Sequence, residues 1–285
     1  MPNERRALRA LMALCALLSG CSRERPAERA ASAPREPVAS SSSTPRLALA
    51  PTAASAHSSA QGAAGVAVVE LFTSEGCSSC PPADRVLASL TARAKADSLP
   101  VYTLSFHVDY WNYLGWRDRF SSSNYSERQR GYSSISANGG TYTPQAVVNG
   151  EAECVGSDAS RLDDLIDSAV QRVPRTQIEL DARRGAQGIE VHYRVSGATA
   201  GRVLNLALLE PRAESQVEHG ENAGERLAHV NVVLAFASRA LSAGSTGHWT
   251  LQAGSDFTAR PVGVVAYAEG ASQRDISGAT ALELP

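Results

Sequence analysis

The chain has 285 residues, of which 43% are hydrophobic, so it is long enough for two domains of ordinary size with buried cores. Its formal net charge is only −2, with acidic and basic residues intermixed. This pattern lacks the basic surface on which nucleic-acid-binding proteins depend, so we expect no nucleic-acid partner.

The first 20 residues have the features of a bacterial export signal. Three arginines among the first nine residues precede an apolar run, residues 10–18, that is too short to span a bilayer. The run ends in Leu18-Ser19-Gly20-Cys21, which resembles a lipobox. In that motif the cysteine receives a diacylglycerol group, so we predict a signal peptide over residues 1–20 and lipidation of Cys21.

Residues 21–64 are rich in alanine, serine, proline and arginine and contain few large apolar side chains. Such a segment buries too little surface to offset its ordering entropy, so we predict a disordered tether between the lipid and the folded region. Because serine rather than aspartate follows Cys21, we expect the protein on the outer membrane, facing the periplasm.

The five cysteines divide according to this processing. Cys15 leaves with the signal peptide and Cys21 is lipidated, which leaves Cys77, Cys80 and Cys154 in the mature chain. An exported protein meets an oxidising compartment, so Cys77 and Cys80 form a structural disulfide, a redox-active pair or part of a metal site. We interpret Cys154 as a small buried apolar residue.

Residues 65–174 show alternating strand and helix patterns. Strands are predicted at 66–72, 101–106, 145–148 and 151–155, the last two joined by an Asn149-Gly150 turn. Helical spacing of apolar residues predicts helices over 83–94 and 162–169. A further helix is predicted from Asn124 with a capping box to Glu127, and Ser157 or Asp158 is expected to cap the last one.

The resulting order, β-α-β-α-β-β-α, resembles that of thioredoxin. The cysteine pair lies between the first strand and the first helix, and Thr143-Pro144 comes directly before the third strand. In thioredoxin-like folds that proline is cis and packs against the disulfide, so we predict a cis bond before Pro144. The fold prediction is an α/β thioredoxin-like domain over residues 65–174.

From residue 175 to residue 285 the pattern changes to short runs of alternating apolar and polar residues separated by turn signals. We predict a C-terminal all-β region, an antiparallel sheet or sandwich. His219, Glu221 and His229 lie in a charged stretch whose spacing matches no strong ligand motif, and we interpret that stretch as a solvated loop.

Several separated blocks together resemble the bacterial domain of unknown function 1223 family. The blocks are Glu70 to Asp84, His107-Val108-Asp109-Tyr110-Trp111, Tyr142-Thr143-Pro144-Gln145 and Gly220-Glu221-Asn222-Ala223-Gly224. The resemblance extends from residue 66 to about residue 270 and implies a secreted thioredoxin-like protein. It implies no reaction, because the function of that family is itself unassigned.

The placement of the cysteines favours a thiol–disulfide oxidoreductase of the cell envelope, with no cofactor beyond the Cys77–Cys80 disulfide. Cys77, at the helix start, is the expected exposed nucleophile, and Cys80 is the expected shielded, resolving thiol. Glu70 or His107 would move the proton. Thr143 and Pro144 would receive the substrate, a thiol or disulfide of an envelope protein or of a redox partner.

Two alternatives remain open from the sequence. In the first, the protein binds or delivers copper or zinc with Cys77, Cys80 and His107 as ligands. In the second, it is a lipid-anchored binding module without chemistry. Aromatic residues cluster between the second strand and the second helix, where they form either a cleft wall for a polypeptide or the local core of an insertion. These are Tyr110, Trp111, Tyr113, Trp116 and Phe120.

Overall fold

The computed structural model describes residues 55–59, 65–136, 139–252 and 262–284, all of which lie within one compact unit, Ala50–Pro285. The predicted signal peptide, Cys21 and residues 22–54 of the predicted tether lie outside these ranges. Ser55–Ser59 forms a strand, β1, that pairs antiparallel with residues 179–183. The structure therefore differs from the tether prediction at these five residues, because a distant strand edge supplies their backbone partners.

The region from residue 65 to residue 170 follows the predicted order of strands and helices. Its strands and α-helices are β2 (Ala67–Thr73), α1 (Pro81–Ala96), β3 (Val101–His107), α2 (Ser123–Arg130), β4 (Gln145–Val148), β5 (Ala152–Val155) and α3 (Ala159–Val170), with a 3-10 turn at Asn112–Leu114. Asn149 and Gly150 both have positive φ and form the predicted turn between β4 and β5. In the described part of the chain no helix is long and apolar enough to cross a membrane.

The ends of the helices show what the local sequence specifies. Helix α1 begins with two prolines, whose missing N–H groups need no partner in a first helical turn. Asp158 caps α3 as predicted, accepting from the Arg161 amide. Helix α2 differs from the prediction: its cap is Ser122, not Asn124, because the extended backbone of Ser122 lets its hydroxyl accept from the Asn124 amide.

Beyond α3 the described residues form seven strands and a short 3-10 turn. The strands are β6 (Thr176–Gly185), β7 (Gly188–Gly197), β8 (Val203–Gln216), β9 (Arg226–Ala240), β10 (Thr246–Leu251), β11 (Val262–Glu269) and β12 (Gly278–Leu284). This is the expected all-β composition. The local pattern does not specify how these strands pair.

Eight strands form one mixed sheet in the order β12-β11-β8-β9-β3-β2-β4-β5. Strands β2 and β3 are parallel, and β9 pairs in parallel with the other edge of β3, where Val232 lies opposite Ser105. The remaining pairs are antiparallel. A second sheet, β1-β6-β7-β10, packs its apolar face on β8, β11 and β12. The molecule is thus mostly β, with a large mixed sheet and three α-helices among the described residues.

The C-terminal strands do not form a compact unit of their own. We expected a boundary between residues 174 and 175, whereas β8, β9, β11 and β12 extend the sheet that β2 to β5 begin. Alternation along a strand identifies its buried face but not its neighbour in the sheet. As a consequence, the β8–β9 hairpin comes close to the start of α1, and this shapes the candidate site.

The two faces of the mixed sheet are covered differently. Helices α1 and α3 cover the face that carries Val69 and Leu71 of β2. The opposite face carries Val68 and Phe72 of β2 and packs against Tyr125 of α2. Because side chains alternate along β2, neighbouring residues on this strand lie on opposite faces of the sheet.

Candidate functional site

The Cys77–Cys80 pair is disulfide-bonded at the start of α1, as its position in the sequence predicts. Cys80 is the residue that precedes the helix, and its amide donates to the Cys77 carbonyl at 3.2 Å. Both cysteines are 0% exposed, whereas Ser78 and Ser79 between them are exposed. The prediction of an exposed Cys77 is therefore wrong for this disulfide state, because two segments distant in sequence cover it.

The first covering segment includes Thr143 and the predicted cis Thr143–Pro144 bond, which the structure confirms. The Thr143 hydroxyl donates to Cys77 Sγ at 3.2 Å and accepts from Trp111 Nε1 at 2.8 Å. Trp111 also lies against Gly76, where an added Cβ would be 3.1 Å from the Trp111 Cβ. The insertion aromatic Trp111 thus holds the hydroxyl that contacts the Cys77 sulfur.

The second covering segment is the loop of the β8–β9 hairpin, residues 217–225, which we call the cover loop. Asn222 is 6% exposed, and its side-chain amide donates to the carbonyls of Glu75 and Cys77, at 2.9 Å each. Glu221 Oε2 accepts from the amide and the hydroxyl of Ser78, at 3.0 and 2.7 Å. These bonds from Ser78 lower the pKa of the Glu221 carboxyl. The cover loop therefore binds the backbone on both sides of Cys77, within or next to the segment Cys77-Ser78-Ser79-Cys80, which we call the motif.

Beneath the motif lies a group of buried titratable side chains, which we call the acid–histidine cluster. Its five members come from five parts of the chain and are each at most 5% exposed. They are Glu75 after β2, Asp84 on α1, His107 at the end of β3, Asp118 in the insertion and His229 on β9. Buried charged groups are rare unless they are paired, and clusters of this kind are enriched at functional sites.

Asp118 organises one half of the cluster. One of its carboxylate oxygens bonds His107 Nδ1 at 2.7 Å and accepts the Glu75 amide at 2.9 Å, while the other accepts the Phe120 amide at 2.9 Å. Burial by itself raises the pKa of Asp118, but its attraction to His107 and these donors hold it below its usual value. The ring of His107 packs edge-on against that of His229, with 4.7 Å between centroids.

His229 forms the other half of the cluster with two carboxylates. Its Nδ1 is 3.5 Å from Asp84 Oδ2, and its Nε2 is 3.6 Å from Glu75 Oε1. Glu75 is fixed in turn by Trp116, whose Nε1 donates to the other carboxylate oxygen at 2.7 Å. Burial lowers the pKa of His229, but Asp84 and Glu75 outweigh that effect and raise it to about 10. His229 is therefore an imidazolium at neutral pH.

The structure does not bring Glu70 to the cysteine pair. Glu70 is 1% exposed and accepts from Arg128, Tyr132 and Tyr267, with a second carboxylate, Glu269, on the same guanidinium. It shares the sheet face of α2, whereas the cysteines precede α1 on the other face. The physical reason is the alternation of side chains along a strand. Glu70 lies seven residues before Cys77, so it faces the side of the sheet opposite to that of an acid six residues before the first cysteine.

The remaining predicted residues are placed as follows. Cys154 is buried at 8% exposure, as interpreted from the sequence, and burial together with nearby carboxylates raises its thiol pKa to about 11. His107 belongs to the acid–histidine cluster. In the described part of the chain, no group of three or more His, Cys, Asp or Glu side chains is arranged to bind a metal ion. Metal binding by Cys77, Cys80 and His107 stays a prediction.

A family model described as a protein of unknown function, DUF1223, matches residues 68–269. The chain belongs to the DUF1223 family. The crystal structure of protein AGR_C_4864 from Agrobacterium tumefaciens is similar to it, with 31% identity and a TM-score of 0.58 over 78% of this chain and 96% of that one. A search of the curated proteins found no significant match.

Sequence reasoning missed most of the acid–histidine cluster in this DUF1223 protein. The charged stretch predicts a solvated loop at His229, whereas His229 is 2% exposed on β9 and Glu221 contacts the motif directly. Two signals in the sequence pointed this way. Asp84 stands within the motif block, and Asn222 within the Gly220–Gly224 block that resembles the same family.

Proposed function

We propose that this DUF1223 protein is a thiol–disulfide oxidoreductase with a thioredoxin-like arrangement around its Cys77–Cys80 disulfide. The observation that carries the proposal is the hydrogen bond from the Thr143 hydroxyl to Cys77 Sγ at the start of α1. A donor aimed at one sulfur of a helix-start disulfide stabilises the thiolate that reduction creates there. A purely structural disulfide needs no such donor.

The neighbouring groups support the same assignment of roles. Ser79 Oγ lies 3.3 Å from Cys77 Sγ and can donate to a thiolate at that position. The N-terminal end of α1 adds a favourable dipole. In the proposed exchange, Cys77 attacks the substrate disulfide and Cys80 resolves the resulting mixed disulfide. In the opposite direction, a substrate thiolate attacks Cys77 and Cys80 leaves.

Trapping of mixed disulfides tests this order of the two thiols. A Cys80→Ser variant, exposed to a disulfide-containing peptide, should accumulate a mixed disulfide through Cys77 that mass spectrometry detects. Cys77→Ser should trap little, and Cys154→Ser in either background should change nothing. Equal trapping by the two single variants would refute the exchange mechanism and favour a metal site or an inert disulfide.

The reduction potential of the pair provides an independent test. Equilibration of the protein with glutathione buffers of defined ratio, followed by thiol alkylation, gives the potential directly. A value near that of the glutathione couple supports exchange with envelope thiols or with a redox partner protein. A value far below it would mean that the disulfide stays closed in the cell and has a structural role.

We also propose that the protein is exported and anchored by lipidated Cys21 in the outer membrane, facing the periplasm. The apolar run at residues 10–18 and the lipobox-like Leu18-Ser19-Gly20-Cys21 support this placement. Cys21→Ala should move the protein from the membrane to the soluble fraction on cell fractionation. Retention of this variant in the membrane fraction would contradict the anchor.

A further inference from the structure

The acid–histidine cluster contains a carboxylate one helical turn from the resolving cysteine. Asp84 is four residues after Cys80 in α1, and its amide donates to the Cys80 carbonyl at 3.1 Å. Side chains at this spacing lie on the same helix face, and helical side chains tilt toward the N-terminus, here toward Cys80. Both residues are buried, at 0% and 5% exposure. A proton of the Cys80 thiol therefore has a carboxylate within one helical turn and little water around it.

Asp84 is connected to the rest of the cluster through His229. The imidazole lies between Asp84 on α1 and Glu75 in the loop after β2, at 3.5 and 3.6 Å. On the other sides it faces the rings of His107 on β3 and Phe120 in the insertion. Asp118 is hydrogen-bonded to Nδ1 of that His107 ring at 2.7 Å. Among the residues that the structure describes, neither His229 nitrogen has a partner of hydrogen-bond geometry.

We propose that the Asp84–His229 pair carries the proton of Cys80 during thiol–disulfide exchange. This inference rests on the proposed function. It assigns to Asp84, and not to Glu70, the role of the buried acid that exchanges a proton with Cys80. Glu70 has its hydrogen bonds to Arg128, Tyr132 and Tyr267 on the opposite face of the sheet. Asp84 and His229 are the members of the acid–histidine cluster that connect Cys80 to the remaining carboxylates.

The proton balance of the exchange is as follows. When Cys80 resolves a mixed disulfide, its S–H bond breaks and the proton passes to the Asp84 carboxylate. The Cys80 sulfur bonds to Cys77 Sγ, and the bond from Cys77 to the substrate sulfur breaks, so the substrate leaves as a thiolate. When a substrate thiolate instead attacks Cys77 and reduces the Cys77–Cys80 disulfide, Cys80 leaves as a thiolate and takes a proton from the pair, which His229 supplies through Asp84. General acid–base assistance of this kind contributes about 10²–10⁴-fold to a rate.

A two-phase thiol assay separates the two cysteines. In full-length protein with Cys15, Cys21 and Cys154 changed to serine, Cys77 and Cys80 are the two remaining thiols. The reduced protein reacts with dithiobis(nitrobenzoate), and the first release of nitrothiobenzoate reports attack by Cys77. The second release reports attack by Cys80 on the mixed disulfide.

Asp84→Asn and His229→Gln should each slow the second phase at least tenfold at neutral pH and leave the first phase within about twofold. In Asp84→Asn the second rate should also rise about tenfold per pH unit below the thiol pKa, because ionisation then proceeds without the carboxylate. Asp164→Asn, an exposed position on α3, is the matched control and should change neither phase. An unchanged first phase also shows that a variant is folded around the motif.

Three results decide between the explanations. If the second phase is unchanged in both variants, the inference is wrong while the proposed exchange still stands. If Glu70→Gln slows the second phase and Asp84→Asn does not, Glu70 carries the proton and the inference is again wrong. If the reference protein, in which only Cys15, Cys21 and Cys154 are changed, shows no two-phase release of nitrothiobenzoate, the proposed function itself fails.

Discussion

The cover loop should control access to the disulfide, and Asn222→Ala tests this most directly. The substitution removes two hydrogen bonds, from the Asn222 side chain to the carbonyls of Glu75 and Cys77. Each such bond contributes about 0.5–1.5 kcal/mol net, so the closed loop loses about 1–3 kcal/mol relative to an open one. Because both sulfurs are 0% exposed when the loop is closed, a reductant reacts with the open form.

The expected rate follows from this population shift. A change of about 1–3 kcal/mol raises the open population, and with it the rate of reduction by dithiothreitol, by about 5- to 150-fold. The measurement is alkylation of newly formed thiols over time under native conditions. Glu218→Gln, an exposed change in the same loop, is the control and should leave the rate unchanged. A rise of less than twofold in Asn222→Ala would refute control of access by the loop.

Three further predictions follow from the buried charges and from the contacts of the motif. Arg128→Met should lower the free energy of unfolding in urea by about 3–5 kcal/mol, since it leaves the buried Glu70 carboxylate without its cationic partner. A loss below about 1 kcal/mol would contradict the importance of this ion pair. His229 has a raised pKa in the folded state, so its contribution to the free energy of unfolding is complete below pH 6.5 and is lost as the pH rises toward about 10. In His229→Gln, the free energy of unfolding measured in urea across this pH range should lack this loss. Trp111→Phe removes the donor to the Thr143 hydroxyl and should raise the Cys77 thiol pKa in the reduced protein, which the pH dependence of alkylation measures. An unchanged pKa would argue against the chain of hydrogen bonds from Trp111 through Thr143 to Cys77.

Local sequence determined most of the elements of this protein. The helical spacing after Pro81 and Pro82, the turn at Asn149-Gly150 and the cap at Asp158 each depend on residues within a few positions of one another, and each occurs in the structure. The position of the cysteine pair at the start of α1 was set in the same way. The N-cap of α2 is Ser122, two residues before the predicted Asn124, because several polar side chains near a helix start can serve as its cap.

The sequence predicts that Thr143 and Pro144 lie against the disulfide, and the structure confirms the contact from Thr143. Only the tertiary structure decided which other residues surround the disulfide. The bonds from Asn222 to the motif join residues 145 and 147 positions apart, and His229 reaches Asp84 from a strand that the sequence had assigned to another domain. A side chain's face on a strand follows from alternation, but its partner depends on which strands pair, and this is a free-energy choice made by the whole sheet. Glu70 lies outside the site because its position on β2 places its side chain on the opposite face of the sheet. The pairing of β9 with β3 places His229 inside the site.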